Sequence, residues 1–256
     1  MSHLPPTENW FFVRGLVREA AHWNSFPEQF AKAFPYRKVF CLDLPGNGEH
    51  FLSTGPNNIP AMAESLRADF LAKKKESPAT ENYLFTISLG SMVCLDWMHK
   101  HPADIQGAVL LNTSLRGFSP FYRRLRPQNY CAILALFFSS NILHIEKEIL
   151  RITSNKTEWH ECIAHDWEKI HKQRPVSKKS ALNQILAAMK FRPPQEQPKA
   201  KILALASKAD QLVHFSCTAE IEKHWGVETQ YHESAGHDLT LDDPAWAIQQ
   251  IKKTFS

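Results

Sequence analysis

Tyr83-Leu84-Phe85-Thr86-Ile87-Ser88-Leu89-Gly90-Ser91-Met92 is the stretch whose reading decides the fold. Aromatic, aliphatic and β-branched residues run up to a serine, and the segment from Leu89 to His101 then continues with helical spacing, so a strand turns into a helix with Ser88 at the corner. That is the setting of a nucleophile elbow. The sharp turn forces the serine into a strained backbone conformation, and small residues two positions before and after it let strand and helix pass closely. Gly90 meets the second requirement, whereas Thr86 stands where a glycine is expected.

Outward from the elbow, short β-branched and aromatic runs alternate with helical segments. Strands are predicted at Trp10 to Val13, Lys38 to Leu42, Tyr83 to Ile87, Gly107 to Leu111, Ile202 to Ala206 and Glu228 to Tyr231. Helices are predicted near Trp23 to Ala33, Ala61 to Lys74, Leu89 to His101, Phe215 to His224 and Pro244 to Phe255, the last opening with Asp242 and Asp243 before its proline. The alternation implies an α/β fold with a mostly parallel sheet of about six strands flanked by helices. It breaks from Thr113 to Pro198, which is helical in pattern and closed by Pro193, Pro194 and Pro198. Residues 1–112 and 199–256 therefore read as one core, and 113–198 as a helical cap inserted between two strands.

The charge is uneven. Between Asn112 and Ala200 there are 15 Lys and Arg against 7 Asp and Glu, a net of +8, which leaves −4 on the rest of a chain whose total is +4. The basic insert lacks the aromatic interleaving of single-strand binders, so no nucleic-acid partner is expected. Met1 to Glu8 shows no basic-then-apolar leader, and the longest apolar run, Cys131 to Leu143 with two serines inside it, is too short to span a bilayer. A cytoplasmic protein without a membrane span is expected. Cys41, Cys94, Cys131, Cys162 and Cys217 are scattered without metal-type spacing and read as reduced, mostly buried thiols. His160-Glu161-Cys162-Ile163-Ala164-His165 is one residue longer than the zinc-protease motif. Five residues turn a helix by about 500°, which puts the two rings on different faces, and no metal is expected.

Ser88 has partners in the order serine, acid, histidine. Asp210 follows the strand at Ile202 to Ala206, and His237 follows the next strand within Ser234-Ala235-Gly236-His237-Asp238. Both belong at strand carboxyl ends, where ligands bind in parallel sheets. Each residue alone is more commonly a helix cap or a turn residue; jointly, in order, they read as a catalytic triad. Phe11-Phe12-Val13-Arg14-Gly15-Leu16 leaves the first strand through a glycine, so the Leu16 and Leu89 amides are the candidate oxyanion donors. Pro45-Gly46-Asn47-Gly48 reads as a structural turn, because the Lys-Ser/Thr of a phosphate loop is missing.

Together RGL, DLPGNG, TISLGS, SKADQLV and AGHDLTLDDPAW resemble the α/β-hydrolase superfamily across nearly the whole chain outside the cap. The general look is that of small intracellular carboxylesterases such as the pimeloyl-carrier-protein methyl ester esterases, and of related C-C bond hydrolases and lipase-like enzymes. The resemblance implies a serine nucleophile, an acyl-enzyme intermediate, and neither metal nor organic cofactor. Its usual His-Gly in the oxyanion loop is Arg14-Gly15 here, which suggests an anionic substrate or an internal ion pair. Arg123 and Arg124, in a cluster with Arg116 and Arg126, could clamp a substrate carboxylate or phosphate, or pair with surface acids. The apolar Leu134 to Phe138 would line an acyl pocket, and the basic cap would favour an acidic head group or an acidic carrier protein. Hydrolysis of an ester or thioester is the first expectation. Acyl transfer, C-C cleavage by the same triad, and a non-catalytic ligand-binding member are the alternatives.

Overall fold

The structure, a computed structural model, describes residues 7–255, so most of the leader reading at Met1 to Glu8 lies outside the described residues. Six strands form one sheet: β1 (Glu8–Val13), β2 (Arg37–Leu42), β3 (Glu81–Ile87), β4 (Gly107–Leu111), β5 (Lys201–Ser207) and β6 (Glu228–His232). Their spatial order is β2-β1-β3-β4-β5-β6, and every pairing is parallel.

A parallel sheet is buried on both faces, and its central strands therefore read as continuous apolar runs. In β1, Trp10, Phe11, Phe12 and Val13 are all buried, and the two-residue period sends them to opposite sides. Phe11 and Val13 join Leu84, Ala108 and Leu110 in one core, covered by α2 (Ile59–Lys74) and α3 (Leu89–Lys100). Trp10 and Phe12 join Phe85, Val109, Leu203 and Leu205 in the other, under α1 (Phe26–Ala33) and α11 (Pro244–Thr254). The second core is aromatic: Phe12 packs on Trp23, Phe26, Phe30 and Phe85 with ring centroids 5.0–5.6 Å apart. Asp243 caps α11 by accepting from the Trp246 amide, with Pro244 in the first turn where no N–H is needed.

Between β4 and β5 the chain forms α4 (Phe121–Arg124), α5 (Tyr130–Phe138), α6 (Ile142–Thr153), α7 (His160–Gln173) and α8 (Lys178–Lys190). After β5 come α9 (Ser216–Trp225) and, beyond β6, α10 (Leu239–Asp242). Trp167, Leu150 and Ala164 make a small separate core between α6 and α7. The cysteine expectation needs correcting, because Cys131 and Cys162 sit on exposed faces of α5 and α7 while Cys94 and Cys217 are buried and Cys41 is half-buried. No helix among the described residues is long and apolar enough to cross a membrane.

Strand order reverses between β1 and β3: from β1 the chain goes outward to β2, and from β3 it goes the other way to β4. The carboxyl ends of adjacent, divergent strands open a crevice. The loop at Gly15 and the corner at Ser88 both stand there.

Candidate active site

Ser88 is the N-cap of α3 at φ 55° and ψ −117°, a region that costs of order 1–3 kcal/mol for a residue with a side chain. Neighbours over-determine it. The Ser88 amide donates to Leu111 O at 2.9 Å, and its carbonyl accepts from Thr113 Oγ1 at 2.9 Å. Gly90 is required by contact: a Cβ there would sit 2.5 Å from Arg14 O and 2.8 Å from Val13 O. Thr86, on the other side of the corner, is accommodated because its buried hydroxyl meets Ser91 Oγ at 2.9 Å and donates to Val109 O at 3.0 Å.

His237 Nδ1 lies 2.7 Å from Asp210 Oδ2, with both side chains buried. Asp210 Oδ1 accepts from the Leu212 and Val213 amides at 2.7 and 3.0 Å, so the carboxylate is fixed and can in turn fix the ring. With Nδ1–H given to Asp210, Nε2 is left as the basic nitrogen. Ser88 and His237 line one cavity of about 430 Å³.

Gly15 brings the β1 loop against the elbow, since a Cβ on it would lie 3.2 Å from Ser88 Cβ. Its carbonyl accepts from Arg18 N, closing a turn through Leu16 and Val17. Leu89 is the first residue of α3, where an N–H has no intrahelical partner, and the Leu16 amide makes no hydrogen bond among the described residues.

The cavity is largely apolar, walled by Ile87, Ile133, Leu136, Phe137, Ile149 and Ile185 among others. Within the stretch expected to line it, Leu136 and Phe137 do so, but Leu134 and Phe138 are exposed, because helical period points them outward. Its buried charges are matched. Arg14 binds Asp238 bidentately at 3.0 and 2.5 Å. Arg18 Nη2 and Glu146 Oε2 lie 2.8 Å apart, in ion-pair contact without hydrogen-bond alignment. Arg174 binds Glu19. Burial pushes the Asp238 and Glu146 carboxyls up, but Arg14 in one case and Arg18 with His171 in the other hold them below the usual carboxylate range. His22, with Arg18 and Arg14 nearby, is driven well below the usual histidine value by burial and then by those cations, so it is neutral.

Two of the cationic expectations need correcting. Arg14 lines the cavity, but its guanidinium is committed to Asp238, the internal ion pair rather than the anionic-substrate reading. Arg123 and Arg124 are absent from the lining residues. Arg124 donates to Ala188 O at 2.7 Å and Arg116 to Met189 O at 3.1 Å, so these arginines satisfy carbonyls in the last turn of α8, where cations also complement the helix dipole. Arg126 donates to Asp210 O at 2.7 Å and so braces the acid's loop. His160 faces Ser154 Oγ, and His165 faces Glu161 and Glu168 on an exposed side.

Several residues that hold the site carry little sequence signal. Asn112, at φ 44°, donates to His237 O at 2.7 Å and accepts from Ser207 N at 2.8 Å, joining the ends of β4 and β5 to the histidine loop. Buried Asp242 accepts from Ser154 Oγ, Asn155 N and Gly236 N at 2.6, 2.9 and 2.6 Å. Gly236 is needed for close approach rather than for a positive φ, because a Cβ there would meet Thr153 O at 2.6 Å. An asparagine ending an apolar strand is the one available hint, since Asn tolerates φ above zero.

A family model described as Hydrolase_4, serine aminopeptidase, S33, matches residues 9–244. No curated protein matches the chain in sequence. Among solved structures, an esterase from Exiguobacterium antarcticum superposes with a TM-score of 0.77 at 14% identity, over 99% of this chain and 94% of that one. A 2-hydroxy-6-oxo-6-phenylhexa-2,4-dienoate hydrolase from a Rhodococcus strain gives 0.77 at 16%, over 97% and 90%. A non-heme bromoperoxidase, so described provisionally, from Mycobacterium tuberculosis gives 0.75 at 16%, over 98% and 93%. At these identities the likeness is one of fold.

Proposed function

Because the chain belongs to the serine aminopeptidase S33 family of α/β-hydrolases, we propose that it is a serine hydrolase that cleaves a carboxylic ester or thioester with an uncharged, apolar acyl group. The observation that carries this reading is the His237–Asp210 contact of 2.7 Å beside a serine held at φ 55° in the same cavity. His237 Nε2 takes the Ser88 proton as Oγ attacks the carbonyl carbon, and Asp210 stabilises the imidazolium. The Leu16 and Leu89 amides receive the oxyanion. Collapse expels the alcohol or thiol with that proton, and water resolves the acyl-enzyme by the same route.

The charge balance of the cavity supports a neutral acyl group. Each arginine lining it has a carboxylate partner, so none is left to receive a substrate anion, and Lys178 stands exposed at the rim. The pairing also disfavours N-terminal peptide cleavage, which needs an uncommitted carboxylate to receive the substrate's ammonium group. The test is labelling of wild type and Ser88→Ala with a fluorophosphonate, followed by p-nitrophenyl esters of increasing acyl length. Label on wild type alone, with kcat/KM rising with neutral chain length, is expected. No label on folded wild type would move the reading to a binding protein.

A further inference from the structure

Val17 is the most unusual residue of the turn that carries the Leu16 amide. Its φ is 51°, and a β-branched side chain there is a genuine outlier, costly enough that an unsupported loop would relax away from it. Support comes from two fully buried amide side chains, Gln184 of α8 and Asn47 of the Pro45–Gly48 turn. The Val17 amide donates to Gln184 Oε1 at 2.8 Å, Gln184 Nε2 donates to Asn47 Oδ1 at 2.7 Å, and Asn47 Nδ2 donates to Arg18 O at 2.8 Å. The chain of bonds begins and ends on adjacent residues of the same turn, and each amide can point only one way in it.

Attachment of α8 to the core does not need this ring. Ser180 Oγ accepts from Gly55 N at 3.1 Å and Asn183 Nδ2 donates to Gly55 O at 2.8 Å, both on the same helix close to Gln184. On the same helix Ala181 and Ile185 wall the acyl cavity. Resting on the serine-hydrolase reading above, we infer that Gln184 is a positioning residue: with Asn47 as relay it holds the Gly15–Arg18 turn in the strained form that presents the Leu16 amide to the oxyanion. The wall of the acyl pocket and the turn that stabilises the transition state are thus set by one cap helix.

Replacing Gln184 with leucine keeps its bulk and removes the acceptor. Misplacing a donor costs less than deleting one, for which the loss is 10²–10³-fold, so Gln184→Leu should lower kcat about 10- to 100-fold and change KM by less than about 3-fold. Its affinity for an alkyl boronic acid, which forms a tetrahedral adduct on serine, should fall by the same factor as kcat. Gln184→Glu gives a second signature. Burial raises its carboxyl pKa, and the neutral acid can still accept from Val17 and donate to Asn47, whereas the carboxylate cannot donate. The ratio of its kcat to that of wild type should therefore fall as pH rises, by at least about 10-fold between pH 6 and 9. An unchanged kcat and boronate affinity in folded Gln184→Leu, or a rise in KM alone, overturns the inference; if that variant does not fold, a pH-independent Gln184→Glu ratio overturns it. Fluorophosphonate labelling of wild type is run alongside: its failure sinks the hydrolase reading itself, whereas labelled wild type with an indifferent Gln184 sinks only the positioning role.

Discussion

Arg14→Met tests whether the cation beside Gly15 serves the fold or the substrate. Arg14 and Asp238 are both buried and share two hydrogen bonds, and without the arginine Asp238 keeps only the Thr240 hydroxyl, at 3.2 Å, as a side-chain partner. Breaking a buried pair from one side typically costs about 3–5 kcal/mol, because the remaining charge is stranded. Protonation limits the cost: neutralising an aspartate whose unfolded pKa is about 3.9 costs about 4 kcal/mol at pH 7 and about 1.5 kcal/mol at pH 5, at 1.36 kcal/mol per unit. Arg14→Met should therefore lose about 3–4 kcal/mol at pH 7, and the deficit should shrink by up to about 2.7 kcal/mol on going to pH 5. In wild type the Asp238 pKa is depressed, so its contribution is fully present above the unfolded value and is lost only as pH falls through the folded one; it is flat across this window. Asp238→Asn in the Arg14→Met background should recover most of the loss at pH 7, since it removes the stranded charge. Urea unfolding followed by tryptophan fluorescence reads both, and Trp23, 4.6 Å beneath the Arg14 guanidinium, reports locally. Stability within about 1 kcal/mol of wild type at pH 7, together with a raised KM for an acidic ester, would refute the argument and return Arg14 to the substrate.

Ser88→Ala should abolish turnover and fluorophosphonate labelling while leaving the urea midpoint nearly unchanged, because its backbone contacts to Leu111 and Thr113 do not use the hydroxyl. Asp210→Asn should lower kcat by about 10³–10⁴-fold by favouring the wrong His237 tautomer, measured with a p-nitrophenyl ester. Gly90→Ala should destabilise by at least about 2 kcal/mol in urea, since its Cβ meets backbone carbonyls that cannot swing aside. Ile149→Trp, in the cavity wall, should move the preferred acyl chain to shorter lengths, read as kcat/KM across an ester series.

The strands and the grouping of Ser88, Asp210 and His237 were legible in the sequence because both obey local rules. A buried parallel strand is a run such as Trp10 to Val13, and an elbow announces itself by a serine between strand and helix with Gly90 behind it. Strand limits shifted by one or two residues, as at Glu8 for Trp10 and Ser207 for Ala206. The arginines were not legible. Composition marks the insert as basic, but only the packing reveals that Arg116 and Arg124 end on α8 carbonyls and that Arg14 ends on a residue 224 positions away. Long-range pairing leaves no trace in local spacing. The polar clamps at Asn47, Asn112, Gln184 and Asp242 escaped for the same reason, because a buried polar side chain and a surface one look alike in one sequence.

These pairings change what the insert is for. A lid that only gated entry would need to touch the core along its rim, yet here it reaches the loops that carry the proposed catalytic groups. The Asp238 amide next to His237 donates to Thr153 O at 2.7 Å, and Ser154 and Asn155 share the Asp242 carboxylate with Gly236. On the opposite side, Glu146 and Arg174 take Arg18 and Glu19, and Gln184 takes Val17. A six-stranded sheet brings Ser88, Asp210 and His237 to one edge, but the strained φ of Ser88 and Val17 persists only where neighbours over-determine it. Ser88 is held by Leu111 of the core and by Thr113 at the junction with the insert, whereas the direct partner of Val17, Gln184, lies deep in the insert. The wall of the cavity and the hold on the Gly15–Arg18 turn therefore share helix α8, so a substitution that reshapes one should be felt in the other.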